Sequence, residues 1–168
     1  LNCERFKKTA KQVFFSQFAE SATKMDMDKL KTLLVKKPLK LDCGKTIKDF
    51  PIAYETYGKL NEKKDNAILV FHALTGDQFV TGINPITKKD GWWSFAVGPR
   101  KAIDTNKFFV ICANVIGGCM GSYGPSYKDS NTNKILGINF PIITINDMVN
   151  AQYNLLEFFK IEKLFSVI

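Results

Sequence analysis

Residues 67–76 read Ala-Ile-Leu-Val-Phe-His-Ala-Leu-Thr-Gly, and this stretch decides the fold class. Its first five residues are continuously apolar, without the alternation of a half-exposed strand, and polar residues flank the run. Such a run is typical of a strand that is buried on both faces of a parallel sheet. Residues 108–113 (Phe-Phe-Val-Ile-Cys-Ala) form a second run of the same kind. We therefore predict two central strands of an α/β protein.

The clearest helix begins after Thr144, where apolar residues recur at helical spacing. Thr144 and Asp147 predict a capping box, and the helix dipole also favours the acidic residue at this end. The face predicted from this spacing consists of Ile145, Met148, Val149, Leu155, Leu156 and Phe159, together with the polar Gln152. A last strand at 163–168 follows, and the order strand, helix, strand predicts a right-handed crossover between parallel strands.

Two strands are predicted ahead of these elements. Residues 33–41 indicate an edge strand interrupted by Pro38, because proline cannot donate a hydrogen bond to a sheet. Residues 51–57 indicate another strand, closed by a turn at 58–61. The whole pattern predicts an α/β fold with a mostly parallel sheet.

Composition and charge exclude several classes of protein. The chain has 168 residues, 45% of them hydrophobic, which excludes a disordered polypeptide. The net charge of +8 suggests a nucleic-acid partner, yet residues 1–48 carry 12 basic and 5 acidic residues and the rest carry 12 and 11. Most of the chain thus offers no basic face for phosphates, and we expect no nucleic-acid partner. No run approaches 18 apolar residues, so we expect no membrane-spanning helix.

The four cysteines and the single histidine predict neither a metal site nor a disulfide framework. A zinc site needs about four clustered ligands, and no Cys-x-x-Cys spacing occurs. Without a recognisable signal peptide, a reduced cytoplasmic compartment is the expectation.

The first part of the chain is predicted to be a basic extension, residues 1–31, that is separate from a domain at 32–168. Residues 6–25 place apolar side chains at helical spacing, which favours a terminal helix packed on its own domain. An interfacial helix or a targeting segment is the alternative, which Glu4 and Glu20 weaken.

Two loops rich in small residues follow the two buried strands, at 72–76 and at 114–125. Ligands of open α/β sheets bind at the carboxyl ends of strands, so the loops suggest a pocket; a tight loop without a ligand role fits the spacing equally well. The glycines match neither a Walker loop nor a dinucleotide fingerprint. His72 is interpreted as a packed, hydrogen-bonded residue and Cys119 as a small thiol, rather than as a base and a nucleophile.

At these loops the sequence resembles the homoserine O-acetyltransferases, members of the α/β-hydrolase superfamily. The resemblance covers about residues 32–168. It is carried by ordered blocks at 53–61, 66–70, 72–76, 91–93, 102–105, 109–111 with Asn114, 117–119, 121–122, 124–125, 140–141, 144–145, 147–149 and Gln152.

The resemblance implies acyl transfer through a serine, a histidine and an aspartate, from acetyl-CoA to the side-chain hydroxyl of L-homoserine, without a further cofactor. By its place in the family motif, Leu74 supplies a backbone N–H to the oxyanion hole. Further candidates, for the wall of the pocket between the two loops, are Thr75, Gly76, Asn114, Gly117 and Gly118.

The family places its nucleophile elbow directly after the strand matched by 164–168, and its triad histidine near its C-terminus. The resemblance therefore implies the N-terminal half of an α/β-hydrolase fold, ending at the strand before the elbow, with all three triad residues downstream. On this interpretation the 168 residues alone are inactive and the full-length enzyme is a cytoplasmic homodimer. The alternatives are a succinyl donor, another acyltransferase or esterase activity, and a non-catalytic binding module.

Overall fold

A five-stranded sheet forms the centre of the molecule in the computed structural model, which describes residues 30–129 and 132–168. The strands are β1 (Thr32–Val35), β2 (Leu39–Lys40), β3 (Thr46–Ile47), β4 (Phe50–Tyr57), β5 (Ala67–Val70), β6 (Val97–Gly98), β7 (Ile103–Asp104), β8 (Phe109–Ala113) and β9 (Ser166–Val167). The central sheet has the order β1-β4-β8-β5-β9, and two small two-stranded sheets pair β2 with β3 and β6 with β7.

The central sheet is mixed, so the prediction of a mostly parallel sheet is wrong. Strand β4 runs antiparallel to both β1 and β8, whereas β5 runs parallel to both β8 and β9. Parallel neighbours need a long crossover, whereas antiparallel strands need none. The two strands with continuous apolar runs, β5 and β8, do pair in parallel. The error lies in β1 and β4, whose apolar residues record burial but not strand direction.

Both buried strands are confirmed, and each contributes to two hydrophobic clusters. Ala67 and Leu69 of β5 belong to one cluster, and Ile68 and Val70 to the other. Successive side chains of a strand point to opposite faces, so the clusters lie on the two sides of the sheet. The absence of alternation in the sequence therefore reflects two covered faces.

The predicted strand at 33–41 is divided in the structure. Its first part, β1, is the edge strand beside β4, and its second part, β2, pairs with β3 in a separate sheet. Pro38 lies between them, where its missing N–H interrupts no ladder.

Helix α1 (Ile145–Phe159) confirms the predicted start at Thr144. The Thr144 side chain accepts a hydrogen bond from the Asp147 N–H, and the Asp147 carboxylate accepts one from the Thr144 N–H. The helix ends at Lys160, whose φ of 55° is left-handed. Of the predicted face, Leu155 and Gln152 are buried, whereas Ile145 and Val149 are exposed among the described residues.

The predicted last strand is shorter than 163–168 and lies at the open side of β5. Beyond β9 itself, the Phe71 N–H donates to the Ile168 carbonyl at 2.7 Å, and the Ile168 N–H donates to the Leu69 carbonyl at 3.0 Å. The carboxyl ends of β5 and β9 therefore lie side by side.

The helix predicted over 6–25 lies outside the described residues. In the part of the chain that is described, no helix is long and apolar enough to cross a bilayer.

Candidate functional site at the carboxyl edge of the sheet

The loops after β5 and β8 lie next to each other, because these two strands are parallel neighbours. We call residues 72–76 the β5 loop and residues 114–125 the β8 loop. His72 joins them: its Nε2 accepts a hydrogen bond from the Val115 N–H at 3.2 Å and lies 3.4 Å from the Asn114 Nδ2. The expectation that the two loops converge on one sheet edge is thus met by direct contact.

The β5 loop is a tight turn with an open outer side. The Gly76 N–H donates to the Ala73 carbonyl at 2.8 Å, so Leu74 and Thr75 occupy the two central positions of the turn. The Leu74 side chain is 99% exposed. Within residues 30–129 and 132–168, the Leu74 N–H donates no hydrogen bond. This turn therefore presents a backbone donor to whatever lies above the sheet edge.

Both ring nitrogens of His72 are engaged in the structure. Besides the contact of Nε2 with Val115, Nδ1 lies 2.8 Å from the Ala73 carbonyl oxygen. This geometry is that of a packed, hydrogen-bonded histidine, as the sequence interpretation expected.

The β8 loop folds on itself and has little room for a ligand. Asn114 is 1% exposed, and its Oδ1 accepts a hydrogen bond from the Met120 N–H at 3.1 Å. A Cβ at Gly118 would lie 2.7 Å from that same Oδ1, and a Cβ at Gly124 would lie 2.2 Å from the Gly118 carbonyl oxygen. Neither position has room for a Cβ, because Gly118 packs against the buried Asn114 side chain and Gly124 packs against backbone.

Gly117 also contributes to the internal packing of the β8 loop. Its φ is +88°, a left-handed conformation that glycine adopts without strain, and its N–H donates to the Tyr123 carbonyl at 2.7 Å. Of the residues predicted to form the pocket wall, Asn114 is thus interior, Gly118 is packed against it, and Gly117 lies at an exposed bend.

Two buried polar side chains that the sequence analysis missed fix the β8 loop in place. Ser122 is buried; its Oγ accepts the Ala53 N–H at 2.9 Å and donates to the Asn114 carbonyl. Gln78 is 1% exposed, and its Nε2 donates to the Met120 carbonyl at 3.0 Å. No local pattern marks Gln78, since its partner lies 42 residues away.

A small cleft of about 160 Å³ adjoins the β5 loop at Thr75 and Gly76. Asp77 also lines this cleft. Its Oδ1 accepts a hydrogen bond from the Phe79 N–H at 2.8 Å, and its Oδ2 accepts one from the Asn84 Nδ2 at 3.1 Å. Trp92 lines the cleft and donates from Nε1 to the Asp77 carbonyl at 2.9 Å. Trp92 therefore fixes the loop on the core as well as lining the cleft.

The cysteines near the site differ in burial. Burial, with a smaller contribution from the Asp77 charge, raises the pKa of the Cys112 thiol to about 12, so this thiol is inert at neutral pH. Cys119 is exposed at the bend of the β8 loop. Among residues 30–129 and 132–168, no group of three or more His, Cys, Asp or Glu side chains is arranged to hold a metal ion.

Curated relatives are similar to most of this chain. A homoserine O-acetyltransferase from Pelagibacter ubique is 74% identical over 138 residues, which are 82% of this chain and 37% of that protein. Proteins described by the same name from Mesorhizobium japonicum and Methanococcus vannielii are 58% and 56% identical, over 79% and 82% of this chain and 34% and 28% of their own lengths. The chain thus spans about a third of the length of the curated relatives it matches.

Solved structures are similar to the described fold. The crystal structure of a homoserine O-acetyltransferase from Bacillus anthracis superposes with a TM-score of 0.75 at 30% identity, covering 83% of this chain and 39% of that one. The crystal structure of esterase E22 gives a TM-score of 0.73 at 33% identity, covering 82% and 39%. No protein-family model matches the chain. The described residues therefore form part of an α/β-hydrolase-like fold.

Proposed function

Because this chain belongs to the homoserine O-acetyltransferase family, we propose that it is the N-terminal part of an enzyme that transfers an acetyl group from acetyl-CoA to the side-chain hydroxyl of L-homoserine. The products are O-acetyl-L-homoserine and CoA, in methionine biosynthesis. The identity of 74% to a curated member supports this activity over the others that the fold permits.

The observation that supports a role for this chain in the chemistry is the free N–H of Leu74. An oxyanion hole needs a fixed donor aimed at the oxygen that gains charge in the tetrahedral intermediate. The Leu74 N–H has no acceptor among the described residues and lies in a tight turn, so it is fixed before any substrate arrives. In this proposal Leu74 is the first oxyanion donor, and Thr75 and Gly76 form the adjoining wall.

The remaining catalytic groups belong, in this proposal, to the part of the relatives' length that these 168 residues do not span. The carboxyl end of β9 lies beside the β5 loop, because the Phe71 N–H donates to the Ile168 carbonyl and the Ile168 N–H donates to the Leu69 carbonyl. A serine elbow that follows β9 would therefore lie next to the Leu74 N–H. Its serine attacks the thioester, CoA leaves, and the homoserine hydroxyl takes the acetyl group from the acyl-enzyme.

The same proposal covers the organisation of the protein. Residues 32–168 are taken as an incomplete α/β-hydrolase domain that is inactive by itself, and residues 1–31 as an extension of it. The full-length enzyme is taken to be a cytoplasmic homodimer that needs no cofactor besides its acyl donor.

A second candidate is an esterase on the same scaffold. It is favoured by the superposition with esterase E22, whose TM-score of 0.73 is close to the 0.75 of the homoserine O-acetyltransferase structure. The two activities share the acyl-enzyme and differ in the acceptor, which is water for the esterase.

The test is an acceptor competition with the full-length enzyme. We expect acetyl-CoA consumption to depend on L-homoserine and to yield O-acetyl-L-homoserine, detected by mass spectrometry. Succinyl-CoA in place of acetyl-CoA tests the donor. Hydrolysis of simple esters without any transfer to homoserine would replace the transferase by the esterase. Cleavage of neither thioester nor ester would favour a non-catalytic module.

A further inference from the structure

We propose that His72 is a positioning residue, whose imidazole orients the Ala73–Leu74 peptide group so that the Leu74 N–H faces the reacting carbonyl oxygen. The inference rests on the proposed acyl transfer, because it assigns Leu74 the role of oxyanion donor. It goes beyond that proposal in giving the only histidine of the sequence a defined task outside the triad.

The first argument is the double anchoring of one carbonyl group. The Ala73 carbonyl oxygen accepts hydrogen bonds from the His72 Nδ1 at 2.8 Å and from the Gly76 N–H at 2.8 Å. This carbonyl and the Leu74 N–H belong to the same planar trans peptide group, in which they point in opposite directions. Fixing the carbonyl within the loop therefore directs the N–H away from it, to the open side.

The second argument is that the contacts allow only one tautomer of the ring. The Ala73 carbonyl oxygen can only accept, so Nδ1 must carry the proton. The Val115 N–H can only donate, so Nε2 must be unprotonated. Asn114 places its Nδ2 donor at 3.4 Å from the same Nε2. The two contacts together therefore require the tautomer whose donor nitrogen faces the Ala73 carbonyl.

The third argument concerns the strength of the donor. The hydrogen bonds run from the Val115 N–H through the imidazole to the Ala73 carbonyl. A peptide group whose carbonyl accepts two hydrogen bonds is polarised, and its N–H becomes a better donor, because hydrogen bonds in a chain strengthen one another. Through His72, the β8 loop thus strengthens the Leu74 N–H as a hydrogen-bond donor to the charged oxygen of the tetrahedral intermediate.

A purely structural role, in which His72 only ties the two loops together, makes a different prediction. That role depends on Nε2, whereas the proposed role depends on Nδ1. In His72→Asn the side-chain amide nitrogen is two bonds from Cβ, as Nδ1 is, so this variant can still donate to Ala73. In His72→Gln the amide oxygen is three bonds from Cβ, as Nε2 is, so this variant can still accept from Val115.

The experiment compares these two variants in the full-length enzyme, with His72→Leu as the variant that lacks both contacts. We expect His72→Gln and His72→Leu to lose roughly tenfold or more in kcat at unchanged KM, since complete loss of an oxyanion donor costs about 10²–10³ in kcat. We expect His72→Asn to recover most of kcat. If His72→Gln is as active as His72→Asn, or more so, the proposal is overturned.

Two further readouts separate this proposal from the proposed function. The kcat for p-nitrophenyl acetate hydrolysis reports on the oxyanion hole whichever acceptor the enzyme uses, so the order of the variants should be the same with that ester. The ¹⁵N NMR signals of the His72 ring need no activity. A protonated Nδ1 with an unprotonated Nε2 supports the proposal, and the opposite tautomer overturns it even in a fully active transferase.

Discussion

The β5 loop and the β8 loop leave the same sheet edge, yet they differ in their hydrogen bonding. The β5 loop has a backbone N–H that donates to no described residue, whereas the β8 loop bonds its polar groups internally and to the neighbouring strand. In the β5 loop, Leu74 is exposed and its N–H has no acceptor in the described part of the chain. In the β8 loop, Asn114 and Ser122 are buried, and their polar atoms bond to the loop or to its supporting strand. Richness in small residues is therefore not by itself a sign of a pocket.

The two loops differ in which groups satisfy their hydrogen-bond donors and acceptors. A buried polar group without a partner costs about 1–3 kcal/mol, so a loop packed on the core must satisfy itself. The β8 loop does so through Asn114, and its glycines permit the close packing. The β5 loop projects from the sheet, so its unused donor costs nothing in water and remains available to a substrate.

The largest effect is expected from Leu74→Pro in the full-length enzyme. Leu74 holds the second position of its turn, where proline is favoured, so the substitution removes the N–H and preserves the turn. We expect a loss of about 10²–10³ in kcat, with little change in the melting temperature. Steady-state kinetics and thermal unfolding measure the two quantities.

Leu74→Ala is the matched control, because it keeps the N–H and removes the same exposed side chain; its kcat should stay near that of the wild type. A well-folded Leu74→Pro enzyme with full activity would show that the open donor of the β5 loop has no part in the reaction.

A smaller effect, on stability, is expected from Gly124→Ala in the β8 loop. The added Cβ would lie 2.2 Å from the Gly118 carbonyl oxygen, so the loop must shift. Overpacking of this kind costs about 1–3 kcal/mol in the free energy of unfolding. Denaturant unfolding of the full-length protein measures it, with Ser126→Ala, at an exposed neighbour, as the control. Equal stability of the two variants would contradict a closely packed β8 loop.

The smallest expected effect is a difference in thiol reactivity between Cys112, at the buried base of the β8 loop, and Cys119, at its exposed bend. Burial raises the pKa of Cys112 to about 12, above that of the unfolded chain. The folded state thus favours the neutral thiol, and this contribution to stability is complete below the ordinary thiol pKa and is lost as the pH rises toward 12.

Alkylation by iodoacetamide near pH 8.5, followed by peptide mapping, measures this difference. We expect Cys119 to be modified and Cys112 to be protected in the native protein, with both modified after unfolding in urea. Modification of Cys112 at the rate of Cys119 in the native state would mean that the base of the loop is open.

The sequence alone determined the elements whose signals are local. The apolar runs of β5 and β8 and the capping box of Thr144 and Asp147 are confirmed, because burial on two faces and a helix cap each leave a pattern within a few residues. The ordered blocks of 32–168 also carry the resemblance to the homoserine O-acetyltransferases, and a curated protein of that name is 74% identical over 82% of this chain.

Only the tertiary structure decided the direction of the strands and whether the polar groups of each loop are hydrogen-bonded within the protein. The antiparallel pairing of β4 with β8 joins residues more than 50 positions apart, and no local pattern records its direction. Leu74, whose N–H donates to no described residue, and Gly124, which packs against the Gly118 carbonyl, both lie in short stretches rich in small residues. What separates them is the set of distant groups, such as Ala53 and Gln78, that folding brings to one loop and not to the other.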